Sequence, residues 1–149
     1  MKTKLLFAVT AIFCVCIFSG CKKSATASGS NNKISIITSK SWKITLFTAS
    51  SNNVVVVDRL QGRPACELDN IIKFATNETF AVEEGATKCN TTDPNIYDTG
   101  TWKLESNETK FNFDGQLLDI VEISSSIIKL RGVEVYLGVP LTVDIVFQP

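Results

Sequence analysis

From residue 42 onward the chain alternates apolar and polar residues with a period of two. Trp42, Ile44 and Leu46 fall on one face, with Lys43 and Thr45 on the other, as expected of a strand with one buried side. Residues 54–57 are a continuous valine run. Ile72 and Phe74 flank Lys73, Thr76-Asn77-Glu78 reads as a turn, and Phe80 and Val82 follow. Trp102 and Leu104 flank Lys103, and Ser106-Asn107 reads as the next turn, leading into Phe111 and Phe113. Asp114-Gly115 is a strong two-residue hairpin signal. Beyond it lie Leu118, Ile120 and Ile123, then Ile128 and Leu130 alternating with Lys129 and Arg131, then residues 133–137. Leu141, Val143, Ile145 and Phe147 form a last alternating strand.

About nine short strands with turn signals every 8 to 12 residues predict an all-β antiparallel domain. Only residues 33–40 suggest a helix, of a turn or so. The longest irregular piece, residues 84–96, contains Cys89 and Pro94, and a loop of that length needs a staple or a function. A barrel and a sandwich both fit the pattern. The short connections favour sequential pairing, and so an up-and-down barrel of about 8–9 strands.

The first residues have a different pattern. Lys2 and Lys4 precede an apolar run, residues 5–18, that ends in Phe18-Ser19-Gly20-Cys21. Fourteen residues span roughly 21 Å as a helix, short of the ~30 Å hydrocarbon core. A basic start, an apolar centre and small residues at the exit mark a signal peptide. With the cysteine, the order resembles the signal peptide and lipobox of a bacterial lipoprotein. The resemblance implies cleavage before Cys21, acylation of its thiol, and a mature chain tethered to the outer membrane of the cell envelope. The expected division is residues 1–20 as signal peptide, 21–32 as a lipidated flexible tether rich in small polar residues, and 33–149 as the β-barrel domain. Lys22-Lys23 follow the cysteine where many surface-exposed relatives carry acidic residues, which favours a periplasm-facing protein.

Charge and composition narrow the function. Without residues 1–20 the chain loses Lys2 and Lys4 from its 15 basic residues and carries 13 against 15 acidic ones. Its arginines, Arg59, Arg63 and Arg131, are scattered, so there is no electrostatic footprint for nucleic acid. The chain has no histidine, which excludes the Ser-His-Asp triad and its cysteine counterpart and removes the commonest transition-metal ligand. No enzyme activity and no cofactor are expected. Once Cys14, Cys16 and Cys21 are accounted for, Cys66 and Cys89 remain. Outside the cytoplasm an isolated pair reads as a disulfide. A redox pair would show close Cys-x-x-Cys spacing, and a metal site would need further ligands.

Trp42-Lys43-Ile44, Cys66-Glu67-Leu68-Asp69-Asn70, Phe74, the turn before Phe80, Cys89 and Gly100-Thr101-Trp102-Lys103-Leu104 occur in that order before a hydrophobic closing strand. This pattern resembles the lipocalin-like domain of Bacteroidota lipoproteins, a family of small calycin-type barrels, over roughly residues 38–148. The chain departs from the pattern at Thr76-Asn77-Glu78-Thr79, where Asp-Gly-Thr is usual, and at Ser41, where glycine is frequent. The resemblance implies a closed meander with an internal cavity for a small apolar ligand, and no catalysis. Trp42, Phe74, Phe80, Trp102, Phe111 and Phe113 are the candidate cavity lining; each is equally a core filler. An interaction module that uses strand edges or loops is the alternative function.

Other clusters have plainer readings. Glu83 and Glu84 point to opposite faces of a strand. Asp93, Asn95 and Asp98 have loose calcium-like spacing without the glycine and terminal glutamate of an EF-hand loop. Asp119 and Glu122 are expected to face solvent.

Overall fold

The computed structural model describes residues 30–149; the expected signal peptide, Cys21 and most of the expected tether lie outside the described residues. Within them are two short helices and nine strands. Helix α1 (Ser30–Thr38) begins three residues before the expected turn. Strand β1 (Ser41–Ser51) forms a hairpin with β2 (Val54–Asp58). A single helical turn, α2 (Ala65–Leu68), precedes β3 (Ile71–Phe74) and β4 (Thr79–Glu83). A meander completes the chain: β5 (Ile96–Glu105), β6 (Lys110–Phe113), β7 (Gln116–Ser124), β8 (Ile127–Tyr136) and β9 (Val139–Gln148).

All pairings are antiparallel. β3 to β9 pair in sequence, and β1 closes the ring by pairing β9 along most of its length and β3 at Ser41 and Trp42. The result is the expected up-and-down barrel: eight strands closed, with β2 as an extra ninth. Past Trp42, β1 and β3 diverge. The segment from Leu60 to Asn70, with α2, lies over that gap, its Leu60 and Leu68 close to Ile44, Ile72 and Val82.

Turn chemistry sets the hairpins. Asp114 and Gly115 both have positive φ (49° and 83°), as a tight primed turn requires. Leu137 and Gly138 have the same geometry at the β8–β9 tip (49° and 79°). The turn at Asn77-Glu78 is held by Asn77, whose side-chain oxygen accepts the Thr79 hydroxyl at 2.7 Å.

Four register shifts interrupt the ladders, and two of them break the alternation seen in the sequence. In β1 the register shifts between Ile44 and Leu46, so the inward face passes from Trp42 to Phe47 and Ala49. Leu46, expected on the Trp42 face, is 37% exposed instead. A similar shift between Ile120 and Glu122 turns Ile123 inward, where it pairs with buried Ile128. An extra residue in one strand swaps its faces, and side-chain pattern alone cannot show it.

Candidate functional site

An eight-stranded barrel has an interior just wide enough to be filled by side chains or to hold one small ligand. Here aromatic rings occupy it. Phe74 sits at the centre, its ring centroid 5.4 Å from Trp102, 5.7 Å from Phe111, 6.1 Å from Phe80 and from Phe113, and 6.2 Å from Phe147. Phe80 stacks on Phe113 at 4.6 Å, and Trp102 stacks on Phe111 at 5.5 Å. These are the spacings of packed aromatic pairs. Trp42, Phe111 and Phe147 are fully buried, with Ile128, Leu130, Leu118 and Ile145 around them.

The six candidate lining residues therefore all project into the interior, where five of them form one continuous ring cluster; Trp42 is buried in the same core. Each indole is satisfied by a backbone carbonyl: Trp42 Nε1 donates to Ile37 O at 2.8 Å and Trp102 Nε1 to Ala75 O at 3.0 Å. Gly100 is part of this packing. A Cβ there would lie 2.6 Å from the Phe80 ring and 2.7 Å from Asp114 Oδ1.

Side chains reach across both ends of the barrel. At one end α1 inserts Ile37, fully buried, with Ile34 and Ile36 packed on the core. Lys33 Nζ donates to Glu108 O (2.8 Å) and Lys40 Nζ to Ser125 O (2.6 Å), tying the helix region to the β5–β6 and β7–β8 turns. At the other end the Arg59 guanidinium lies 5.0 Å from the centre of the Phe47 ring and donates to both Glu134 carboxylate oxygens at 2.5 and 2.6 Å.

The predicted disulfide joins Cys66 to Cys89, with Cα atoms 5.2 Å apart. It fastens α2 to the long loop between β4 and β5. Asp69 supports it: its Oδ2 accepts the Thr87 N–H and hydroxyl, both at 2.8 Å. The Thr87 hydroxyl holds the Asp69 carboxyl below its usual range, against the opposing effect of desolvation. At Gly85 the loop approaches so closely that a Cβ would land on the Asp69 backbone. Next to this staple lies an open polar depression of about 390 Å³ between Arg63, Glu67, Glu84, Asp93 and Tyr97.

The remaining acidic residues are engaged separately. Glu83 pairs with Lys73 at 2.6 Å, while Glu84 belongs to the loop. Asp93 closes a turn onto the Asn90 N–H (3.0 Å), and Asp98 accepts the Thr99 N–H (2.8 Å). Asp119 faces outward and pairs with Lys110 at 2.6 Å. Arg131 is bidentate with Asp144, which raises the guanidinium pKa further. Among the described residues no group of three or more Asp, Glu, His or Cys side chains is placed to hold a metal ion.

Sequence reasoning missed the outer surface. β8 pairs β7 only as far as Arg131, opposite Asp119, while its pairing with β9 continues to Tyr136. The strands β2, β1, β9 and β8 thus project past the rest of the barrel as a four-stranded blade, at the end away from α1. One row across it reads Val55, Ser50, Thr142, Val133, all in register. Val133 is 74% exposed, Val135 71%, Val54 65% and the tip residue Leu137 87%. The neighbouring outward row, Asp58, Thr48, Asp144, Arg131, carries charge at three of its four positions and bounds a row whose valines flank Ser50 and Thr142. The signal for this was present in the valine run and in residues 133–137, but an apolar run reads equally as a buried strand.

A second depression, open and on the outside of β3–β5, has a volume of about 580 Å³. Its wall is mixed, with Ala75 and Ala81 among Lys73, Thr79, Thr99 and Thr101. No protein-family model matches the chain, and no curated protein matches it.

Proposed function

We propose that this chain is a non-catalytic binding module of the bacterial cell envelope. It is held on the outer membrane through an acylated Cys21, and it binds with the outside of its barrel rather than the lumen. The observation that carries this reading is the contrast between the two surfaces. The lumen is occupied by its own rings, while the projecting blade leaves Val55, Val133, Val135 and Leu137 in solvent. An exposed apolar patch bounded by charged residues is the usual mark of an interaction site. Leu137, at the hairpin tip and 87% exposed, extends this apolar surface.

A photo-crosslinking residue placed at Val133, and separately at exposed Ile96 on β5, three strands away around the barrel, tests the reading in intact cells. Position 133 is expected to give a discrete adduct and position 96 none. The absence of any adduct from 133, 135 and 137 would overturn it.

The second reading, a carrier of a small apolar molecule as the lipocalin-like resemblance implies, is favoured by the groove on β3–β5. Its volume lies within the range of ligand pockets. Binding there would be sensitive to Ala81→Glu and insensitive to Val133→Lys.

A further inference from the structure

β2 differs from every other strand described. Each of the others has strand neighbours on both edges, whereas β2 pairs with β1 alone, so among the described residues its outer edge is open. That edge exposes the backbone of Val54, Val55, Val56 and Val57, and all four side chains are solvent-exposed. An open edge is a template for another strand, and natural proteins blunt it with lysine, proline, inward-pointing charge, a bulge or a short length; β2, at five residues, is short. β2 has a bulge at Val56 but no lysine, arginine or proline.

We infer that the occupant of this edge is the β2 strand of a second copy of the chain, giving a symmetric antiparallel dimer. The inference rests on the reading above, that the blade is the binding surface, and names the partner of one of its edges. Two features of β2 fit an antiparallel copy of itself. The run of four valines reads the same in both directions, so a self-pair, which is isologous by construction, sets valine opposite valine along the whole seam. The only charge on the strand, Asp58, is at one end. Antiparallel pairing sends the two Asp58 carboxylates to opposite ends of the seam, beside the uncharged Asn53 of the other copy. Parallel pairing would set them side by side, and like charges across strands are destabilising. Asp58 Oδ1 is already occupied locally by the Leu60 N–H at 2.9 Å, so it makes no demand on the seam. Joining two blades this way produces a continuous eight-stranded sheet with the eight valines of the seam gathered at the two-fold axis.

Sedimentation velocity over a wide concentration range tests this. It should use the full chain in detergent and also residues 30–149, which contain every described core residue and the disulfide. A dimer is expected in both. Val55→Lys and Val57→Lys should each weaken it about tenfold or more, as expected for a charge placed in an apolar seam. Leu117→Lys, on β7, should leave it unchanged. Circular dichroism and melting temperature of the variants should match the parent. A parent that stays monomeric throughout, or a dimer unaffected by both lysines, would overturn the inference. An adduct between Val133 and a different protein, from a chain that is monomeric, would overturn this inference alone and leave the blade as a binding surface.

Discussion

Phe111→Ala probes most sharply whether the lumen is filled. Phe111 is fully buried and sits against Trp102, Phe74 and Phe113, at 5.5, 5.7 and 6.3 Å between ring centres. Removing the ring forfeits its transfer free energy and leaves a void that closed strands cannot collapse, at about 24 cal/mol per Å³ of residual cavity. Phenylalanine truncations of this kind cost about 3–5 kcal/mol, a large share of the roughly 5–15 kcal/mol that holds a domain together. Equilibrium urea unfolding gives the value directly, provided that the slope is unchanged between parent and variant. The variant should also acquire affinity for benzene or xenon, which enter dry apolar cavities. The reasoning would be refuted by a loss below about 1 kcal/mol with no new affinity, because a ring beside pre-existing empty space has little packing to lose.

Further expectations follow from the staple, the core glycine, acid pH and the anchor. Replacing both Cys66 and Cys89 by serine should lower stability by about 3.5 kcal/mol on the chain-entropy account, read by urea unfolding without reductant; an unchanged midpoint would argue that the long loop is already fixed by Asp69 and Asn70. Gly100→Val should destabilise by more than about 1 kcal/mol, since its side chain must displace the Phe80 ring and the Asp114 carboxylate. Asp69 has a lowered carboxyl pKa through the Thr87 hydroxyl, so its contribution is complete above the unfolded value of about 3.9 and is lost as pH falls through the lower folded value. Thr87→Val should raise the Asp69 pKa in an NMR titration and flatten the loss of stability below about pH 4; an unmoved titration would refute the assignment. Globomycin should cause an unprocessed precursor to accumulate, and Cys21→Ser should release the protein from membranes; normal processing together with unchanged fractionation would refute the anchor.

Much of the architecture was legible because strands with one buried face write their period into the sequence. The alternations through Phe74, Trp102, Phe111, Leu130 and Ile145 each correspond to inward positions, and Asp114-Gly115 makes the turn it signals. The disulfide was legible from the cysteine count. Three features were not. The bulges after Ile44 and Ile120 come from closing and twisting the barrel, so Leu46 and Phe47 exchange faces for reasons outside their own segment. The helical turn at Ala65–Leu68 is too short to show a period. The fate of the four valines depends on whether anything lies beyond β2, a property of the assembled sheet and not of the strand. The same limit applies to the candidate lining. The sequence places Trp42, Phe74 and their neighbours in the interior, but whether an interior is hollow depends on how rings from different strands meet.

Native mass spectrometry of the chain purified from its own envelope tests the central claim most directly. A filled barrel that binds through its outer surface should appear as the processed, acylated chain, alone or as a dimer, with no small molecule retained. A stoichiometric apolar ligand, released on unfolding and retained by the Val55→Lys and Val133→Lys variants, would contradict the account and return the function to the barrel itself.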